Sequence, residues 1–305
     1  MLLFIEQLLN GVQLGIFLFL VAAGLTLIFG IMGLINLAHG SLYMIGAFVC
    51  ASVAQASGSF MLGVLAALVV AGLSGALIEF VLMRHLYQRD HLDQVLVTFG
   101  LILFINEIAT MLWGRTPLFI SAPEIFAGSI EILPGVPYPF YRLVIIAVGL
   151  LLAVGLWLTI TRTRIGMLIR AGSTNREMVA ALGVDISLLY TLLFAVGAIL
   201  AGLAGAMSGP LVSVQVGMGE QILILAFVVV VIGGIGSVRG ALIGALLVGV
   251  IDTLGRAFFA DALKLFLPPA EASGIGAALS SMAIYVVMAI ILIARPTGLF
   301  PVASR

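Results

Sequence analysis

Long apolar stretches, separated by short charged or proline-containing segments, run through the whole 305-residue chain. A helix that crosses the hydrocarbon core of a bilayer needs about 20 predominantly apolar residues. The stretches that approach this length predict membrane segments near residues 8–30, 40–57, 60–83, 94–113, 141–160, 188–209, 221–236, 240–260 and 278–294. Two of them, 40–57 and 221–236, are short for a full crossing, which favours re-entrant or broken helices at those places. The pattern predicts an all-α polytopic membrane protein with about eight or nine transmembrane or re-entrant helices in a single domain, 1–305.

Composition and charge exclude several classes of protein. Apolar residues make up 63% of the chain and charged residues 9%, whereas soluble domains have about 45–50% and about 25%. Thirteen basic and thirteen acidic residues balance, so there is no basic footprint for nucleic acid. The single lysine, Lys264, is not in the Gly-Lys-Ser/Thr sequence of a phosphate-binding loop, so the chain does not hydrolyse ATP by that route. His39, His85 and His91 are not spaced as metal ligands, and we predict neither a catalytic nor a metal site.

Four loops predict the orientation of the chain. The loops 83–93 and 161–187 hold six of the thirteen basic residues, and the positive-inside rule places both in the cytoplasm. Two other loops, 114–140 and 261–277, are then external. Five of the ten prolines lie in 114–140, and this density favours extended, turn-rich chain, which predicts an ordered external cap. The side of the N-terminus depends on whether all of the first three segments cross the membrane.

Glycine-rich interruptions indicate where the membrane helices break. We expect broken helices near Gly30-Gly33 and Gly217-Gly219, because interrupted hydrophobic segments in transporters mark the translocation pathway. The segment 29–47 can also be laid over 232–245, which suggests an internal repeat. The residues that we predict as hinges or pathway residues are Gly30, Gly33, Asn36, His39, Gln215, Gly217, Gly219, Gly233 and Gly236. Two alternatives stay open: a structural role for His39, hydrogen-bonded to broken-helix backbone, and an external turn at 216–219.

The cytoplasmic loop 161–187 contains a pattern typical of a short helix. Thr174-Asn-Arg-Glu177 fits a capping box, which predicts a helix over 175–182 with Thr174 as its N-cap. Gly183 stands where such a helix ends in the left-handed conformation. Met178, Ala181 and Leu182 form one apolar face. Because so short a helix is marginal in water, it must pack against a partner protein or against the rest of this chain.

Several motifs resemble those of a known family. Glu177-Met-Val-Ala-Ala-Leu-Gly183 is similar to the loop with which permease subunits of ABC importers contact their ATPases, although the Ile-x-Leu-Pro that often follows is absent. The segments 35–41, 233–241 and 295–300 resemble the branched-chain amino acid permeases, and specifically their LivH-type subunit. The resemblance covers residues from about 8 to 301.

The resemblance implies a membrane permease subunit of an ATP-driven importer that moves branched-chain or related neutral amino acids inward by alternating access. It implies a second, LivM-type permease subunit, two cytoplasmic ATPases that bind ATP and Mg, an external solute-binding protein, and a location in the bacterial inner membrane. No cofactor is expected in this chain. The residues expected to couple to the ATPase are Thr174, Arg176, Glu177, Met178, Ala181, Leu182 and Gly183.

Two other functions remain open. Permeases of the same family move urea, amides or aromatic acids. An ion-coupled secondary transporter would work without ATPases, but it needs carboxylates within the membrane as ion ligands. The candidates for that role are Asp252, Glu107 and Glu220.

Overall fold

The computed structural model describes residues 2–300, and helices dominate it. Eight helices in this range are long and apolar enough to cross a membrane, and one further apolar helix, α9, is shorter. The helices are α1 (Leu2–Met32), α2 (His39–Ser57), α3 (Phe60–Val81), α4 (His91–Trp113), α5 (Phe140–Arg162), α6 (Arg164–Thr174), α7 (Arg176–Ala181), α8 (Ile186–Ser208), α9 (Met218–Gly233), α10 (Val238–Leu263) and α11 (Pro269–Ala294). The predicted polytopic all-α fold and its breaks after Gly30-Gly33 and at Gly217 are confirmed.

Helices α1–α4 and α8–α11 form two halves of opposite orientation. In each half the first helix ends at a break, the second begins inside the protein, and two further helices follow. The start of α1 and the end of α8 both meet the start of α5, where Arg142 contacts Asn10 and the Tyr141 hydroxyl donates to the Met207 carbonyl over 2.8 Å. Helices α1 and α8 therefore run antiparallel. The packing repeats accordingly: α3 lies against α8 as α10 lies against α1.

The overlay of 29–47 on 232–245 does not describe this repeat. It aligns the junction of α1 and α2 with the junction of α9 and α10, whereas the structure makes the break 33–38 equivalent to the break 209–217. Glycine pairs occur in both junctions because helices approach closely at each of them. Such pairs report close packing and do not by themselves indicate equivalent positions.

Helix α1 lies at the centre of the fold, with α10, α8, α9 and α5 around it. Its contact with α10 is close: a β-carbon at Gly15 would lie 2.9 Å from the Ala245 carbonyl oxygen. Between lipid-embedded helices the attraction comes from van der Waals packing, which small residues strengthen because they let backbones approach. The remaining helices, above all α4, α5 and α11, leave large apolar side chains exposed, as bilayer-facing helices do.

The loop 114–140 is ordered, as its prolines predict. Strands β1 (Ser129–Leu133) and β2 (Val136–Pro139) pair antiparallel in register Ile130↔Tyr138, and Leu118 forms a separate bridge with Val214. The predicted external loop 261–277 is wrong in extent. Helix α10 continues to Leu263 and α11 already begins at Pro269, because proline is well suited to the first turn of a helix.

Candidate functional site

The N-terminal ends of α2 and α9 meet inside the protein. A β-carbon at Gly40 would lie 2.2 Å from the Gly219 carbonyl oxygen, and one at Gly219 would lie 2.3 Å from the Gly40 carbonyl oxygen. The two backbones are therefore in contact, and no side chain fits between them. This contact joins the break before α2 to the break before α9, which contain most of the predicted hinge residues.

The two breaks begin their helices in the same way. The His39 amide donates to the Asn36 carbonyl over 3.4 Å, and the Met218 amide donates to the Gln215 carbonyl over 3.3 Å. The Asn36 side chain also accepts from the Ala38 amide at 3.0 Å. Met218 and Gly219 are buried and follow Gly217, which has a φ of +91°. Of the two alternatives for 216–219, the structure therefore supports the start of a broken helix over an external turn.

His39 is fully buried and its imidazole packs against α1. A β-carbon at Gly24 would lie 2.8 Å from the His39 Nε2 atom, so the ring occupies the space that this glycine leaves. Neither ring nitrogen has a hydrogen-bond partner among the described residues, so the bond to broken-helix backbone that the structural alternative expects is not found there. The role of His39 in a pathway stays a prediction.

A polar contact that was not predicted joins α4 to the start of α9. The Asn106 side-chain amide donates to the Glu220 carboxylate over 2.5 Å. Glu220 lies in the first turn of α9, where the helix dipole favours a negative charge. The signal was present in the sequence, since both residues interrupt apolar segments, but 114 positions separate them. Glu107, the neighbouring candidate carboxylate, is exposed.

The end of α1 also touches the junction between α9 and α10. A β-carbon at Gly30 would lie 2.4 Å from the Gly236 α-carbon. The C-terminal segment covers this junction: the Leu299 and Phe300 amides donate to the Ile232 and Gly233 carbonyls at 2.9 and 3.0 Å. The motif 295–300 therefore has a structural role, which is to close the end of α9.

The loop 161–187 contains two helices, and the predicted N-cap at Thr174 is wrong. Thr174 is the last residue of α6, and its hydroxyl donates to the Arg170 carbonyl at 3.0 Å within that helix. Asn175 caps α7 instead, accepting from the Met178 amide at 3.0 Å. Threonine can bond back to the preceding turn, and asparagine is at least as good an N-cap.

Helix α7 exposes most of its predicted apolar face. Met178 is 63% exposed and Leu182, directly after the helix, is 79% exposed, whereas Val179 is 5% exposed and holds α7 on the protein. Ala181 and Glu177 are exposed as well. The Arg176 backbone begins α7, but its side chain lies outside the described part of the structure.

The predicted end of α7 at Gly183 is confirmed. Gly183 has a φ of +85°, its amide donates to Ala180, and the Val184 amide donates to Val179. This is the Schellman arrangement, which places a glycine just past the helix.

Residues predicted to couple to the ATPase and residues predicted as hinges line the same cavity. It measures about 440 Å³ and lies between the end of α1 and the junction of α6 with α7. Thr174 and Glu177 from the coupling group line it together with Gly30 and Gly33 from the hinge group. The structure thus brings the cytoplasmic helix pair directly against the break that follows α1.

A buried carboxylate anchors α8 beside this cavity. Glu79 in α3 accepts hydrogen bonds from Thr191 in α8 and, over 2.5 Å, from the Tyr87 hydroxyl, and Arg84 lies 3.5 Å from it. Burial, and then the hydrogen bond to Glu79, raise the pKa of Tyr87 above its usual range. The cluster fixes the end of α3 and the start of α8 relative to each other.

Comparison with known proteins identifies the family of the chain. Residues 7–292 match the family described as the permease component of the branched-chain amino acid transport system. The chain belongs to this family. It is 33% identical over 273 residues to the high-affinity branched-chain amino acid transport permease BraD of Pseudomonas aeruginosa, covering 86% of this chain and 89% of BraD. It is 30% identical to the corresponding permeases LivH of Salmonella typhimurium and of Escherichia coli K12, with the same coverage. No solved structure matches the chain.

Proposed function

We propose that this multi-pass membrane permease is one subunit of an ATP-driven importer that moves branched-chain amino acids inward across the bacterial inner membrane. The observation that carries the proposal is the family match over residues 7–292. ATP and Mg bind to two separate cytoplasmic ATPase subunits. A second, LivM-type permease subunit completes the transmembrane core, and an external solute-binding protein delivers the amino acid.

The exposed face of α7 supports the ATPase contact. An amphipathic helix commonly lays its apolar face in a groove of its partner, and Met178 and Leu182 offer such a face on the predicted cytoplasmic side. The cavity lined by Thr174, Glu177, Gly30 and Gly33 lies directly behind it. A displacement of α7 would act on the break after α1, which favours alternating access.

Asp252 favours this function over ion coupling. Arg256 pairs with it over 2.9 Å, and a carboxylate that an arginine already neutralises attracts a coupling cation less than an unpaired one. Glu220 accepts from the neutral Asn106 amide, and its second oxygen has no partner among the described residues, so it stays the remaining candidate for an ion ligand.

The test is co-expression of the chain with the genes beside it, purification and reconstitution. We expect the permease to co-purify with ATPase subunits and to take up leucine when ATP is supplied. A self-sufficient homo-oligomer that transports in ATP-free vesicles would refute the proposal and favour the ion-coupled alternative. Uptake of urea, amides or aromatic acids in preference to leucine would replace the substrate class.

Two variants test the role of α7. Glu177→Lys and Gly183→Asp should uncouple ATP hydrolysis from uptake while the protein still inserts into the membrane. Glu131→Lys makes the same charge change on the exposed external hairpin, and it should leave the coupling ratio unchanged. Normal uptake by both α7 variants would show that α7 does not form the contact with the ATPase.

A further inference from the structure

Two adjoining cavities lie at the predicted cytoplasmic ends of α1, α5 and α10. The first measures about 200 Å³, is closed by α6, and contains Arg170, Arg239, Thr161 and Ser237 among its lining residues. The second measures about 190 Å³ and is lined by apolar side chains such as Leu150, Val154, Phe19 and Leu242. Trp157, Val238 and Arg239 line both cavities. A chamber with a mainly apolar wall, into which a few hydroxyl and arginine side chains are set, therefore continues into an apolar groove that leads away from the predicted cytoplasmic side.

The first cavity has the chemistry of an anion site. Arg239 and Arg170 both line it, although Arg170 also donates to the Ile160 carbonyl, and none of its lining residues is acidic. The N-terminus of α10 also opens there, capped by Ser237, and the first amides of a helix have no partner within the helix. Thr26 provides an independent indication. It lines the same cavity, is 1% exposed, and its hydroxyl oxygen has no hydrogen-bond partner among the described residues.

The second cavity has the chemistry of an acyl-chain groove. Leu150 and Trp157 are the first and last of its lining residues on α5, and the seven-residue step from one to the other spans about 10 Å of helix. The Arg239 guanidinium lies 5.5 Å from the centre of the Trp157 ring, at the boundary between chamber and groove. Tryptophan and arginine are typical of the level at which headgroups meet hydrocarbon.

We propose that the two cavities together bind one anionic phospholipid of the inner leaflet, with its phosphate in the chamber and one acyl chain in the groove. Basic pockets between helices on the cytoplasmic side are known to suit such headgroups. The lipid would bridge α6 to α1, α5 and α10. Helix α6 already packs closely there, since a β-carbon at Gly166 would lie 2.2 Å from the Ile160 carbonyl oxygen.

The experiment measures lipid binding to the purified permease complex by native mass spectrometry, with phosphatidylglycerol and phosphatidylcholine of the same chain length. We expect phosphatidylglycerol to bind in preference. Arg239→Gln should weaken its binding about tenfold, because it removes a charge-assisted contact to the phosphate. Val154→Trp should weaken binding as well, by filling the groove. Both side chains are exposed, so neither variant disturbs the core.

Matched controls lie beside each variant. Arg164→Gln removes an exposed arginine from the start of α6, and Leu151→Trp adds the same bulk to α5; neither residue lines the two cavities. Both controls should bind phosphatidylglycerol as the parent protein does. Inorganic phosphate tests the other source of the same chemistry, and it should not displace the lipid at millimolar concentration.

Three results would overturn the proposal. If phosphatidylglycerol and phosphatidylcholine bind equally and Arg239→Gln changes neither, the chamber is not an anion site. If inorganic phosphate displaces phosphatidylglycerol and Val154→Trp does not weaken binding, the ligand of the chamber is a free anion and not a lipid. A crosslink from Val154→Cys to the second permease subunit would make the groove a subunit contact. None of these measurements depends on transport, so they are independent of the proposed function.

Discussion

The contact between α2 and α9 predicts a large effect from one added methyl group. In Gly40→Ala the new β-carbon would lie 2.2 Å from the Gly219 carbonyl oxygen. That oxygen belongs to the backbone of α9, so it cannot turn away as a flexible side chain could. Ordinary van der Waals contact begins near 3.4 Å, and the two helices would have to separate by about 1 Å.

The cost of this separation can be estimated. Overpacking a well-packed core costs about 1–3 kcal/mol, whereas alanine in place of glycine favours a helix by up to about 1 kcal/mol. Gly100→Ala is the matched control, because a β-carbon at Gly100 in α4 meets nothing within 4 Å. We expect Gly40→Ala to be the less stable of the two by about 1–3 kcal/mol in unfolding free energy.

Unfolding by titration with sodium dodecyl sulphate measures this difference. Trp113 is a suitable fluorescent reporter, since its ring stacks on Phe48 of α2 at 4.9 Å between ring centres. The double variant Gly40→Ala/Gly219→Ala should lose less unfolding free energy than the sum of the losses in the two single variants. Both methyl groups force apart the same pair of helices, so the second adds little to the separation that the first has caused. If Gly40→Ala unfolds at the same detergent fraction as Gly100→Ala, the close crossing of α2 and α9 is wrong.

Three further predictions concern the cytoplasmic cap, the ion pairs and pH. Asn175→Ala should destabilise α7 by about 1 kcal/mol and Thr174→Ala by clearly less, measured by hydrogen exchange of α7; equal effects would restore Thr174 as the cap. Arg256→Gln leaves a buried carboxylate without its partner and should cost about 1–3 kcal/mol, whereas Lys264→Gln in an exposed pair should cost less than about 1 kcal/mol in the same detergent titration. Because burial raises the pKa of Tyr87, its contribution to stability should persist below pH of about 10 and be lost as pH rises through the raised value. An alkaline absorbance titration of the parent protein and of Tyr87→Phe tests this, and a phenol that titrates near its usual pKa would contradict it.

Hydrophobic pattern predicted the membrane helices well because the length of an apolar segment is a local property. The stretch 40–57 corresponds to α2 at His39–Ser57, and 221–236 corresponds to α9 at Met218–Gly233. Helix α6 was missed for a local reason too. Its arginines and glycines break the apolar pattern, while a single face, which includes the buried Ile169, packs on the protein. A short amphipathic helix is therefore less visible in sequence than a buried one.

The polar contacts of the site could not be predicted, because they join distant parts of the chain. Asn106 meets Glu220, and Glu79 meets Thr191, each across more than a hundred residues. Each residue alone interrupts an apolar segment, which marks it as unusual but does not indicate its partner. The close contact of Gly40 with Gly219 could not be predicted for the same reason. Helix packing determines it, and the sequence indicates only that both positions permit it.

Helices α6, α7 and α8 follow one another through short, ordered connections, which suit the transmission of force. Asn175 alone separates α6 from α7, and the four residues 182–185, with the Schellman turn at Gly183, separate α7 from α8. Short ordered connections leave α7 little freedom to move by itself. Helix α6 is in turn packed on the end of α5 at Gly166, and Glu79 fixes the beginning of α8 to α3. A push on the exposed face of α7 would therefore act on α6 and α8, which line the same cavity as Gly30 and Gly33. The break after α1 is the adjacent segment with the backbone freedom to accommodate that movement, because Gly33 has a φ of +66° and its missing β-carbon would meet nothing within 4 Å.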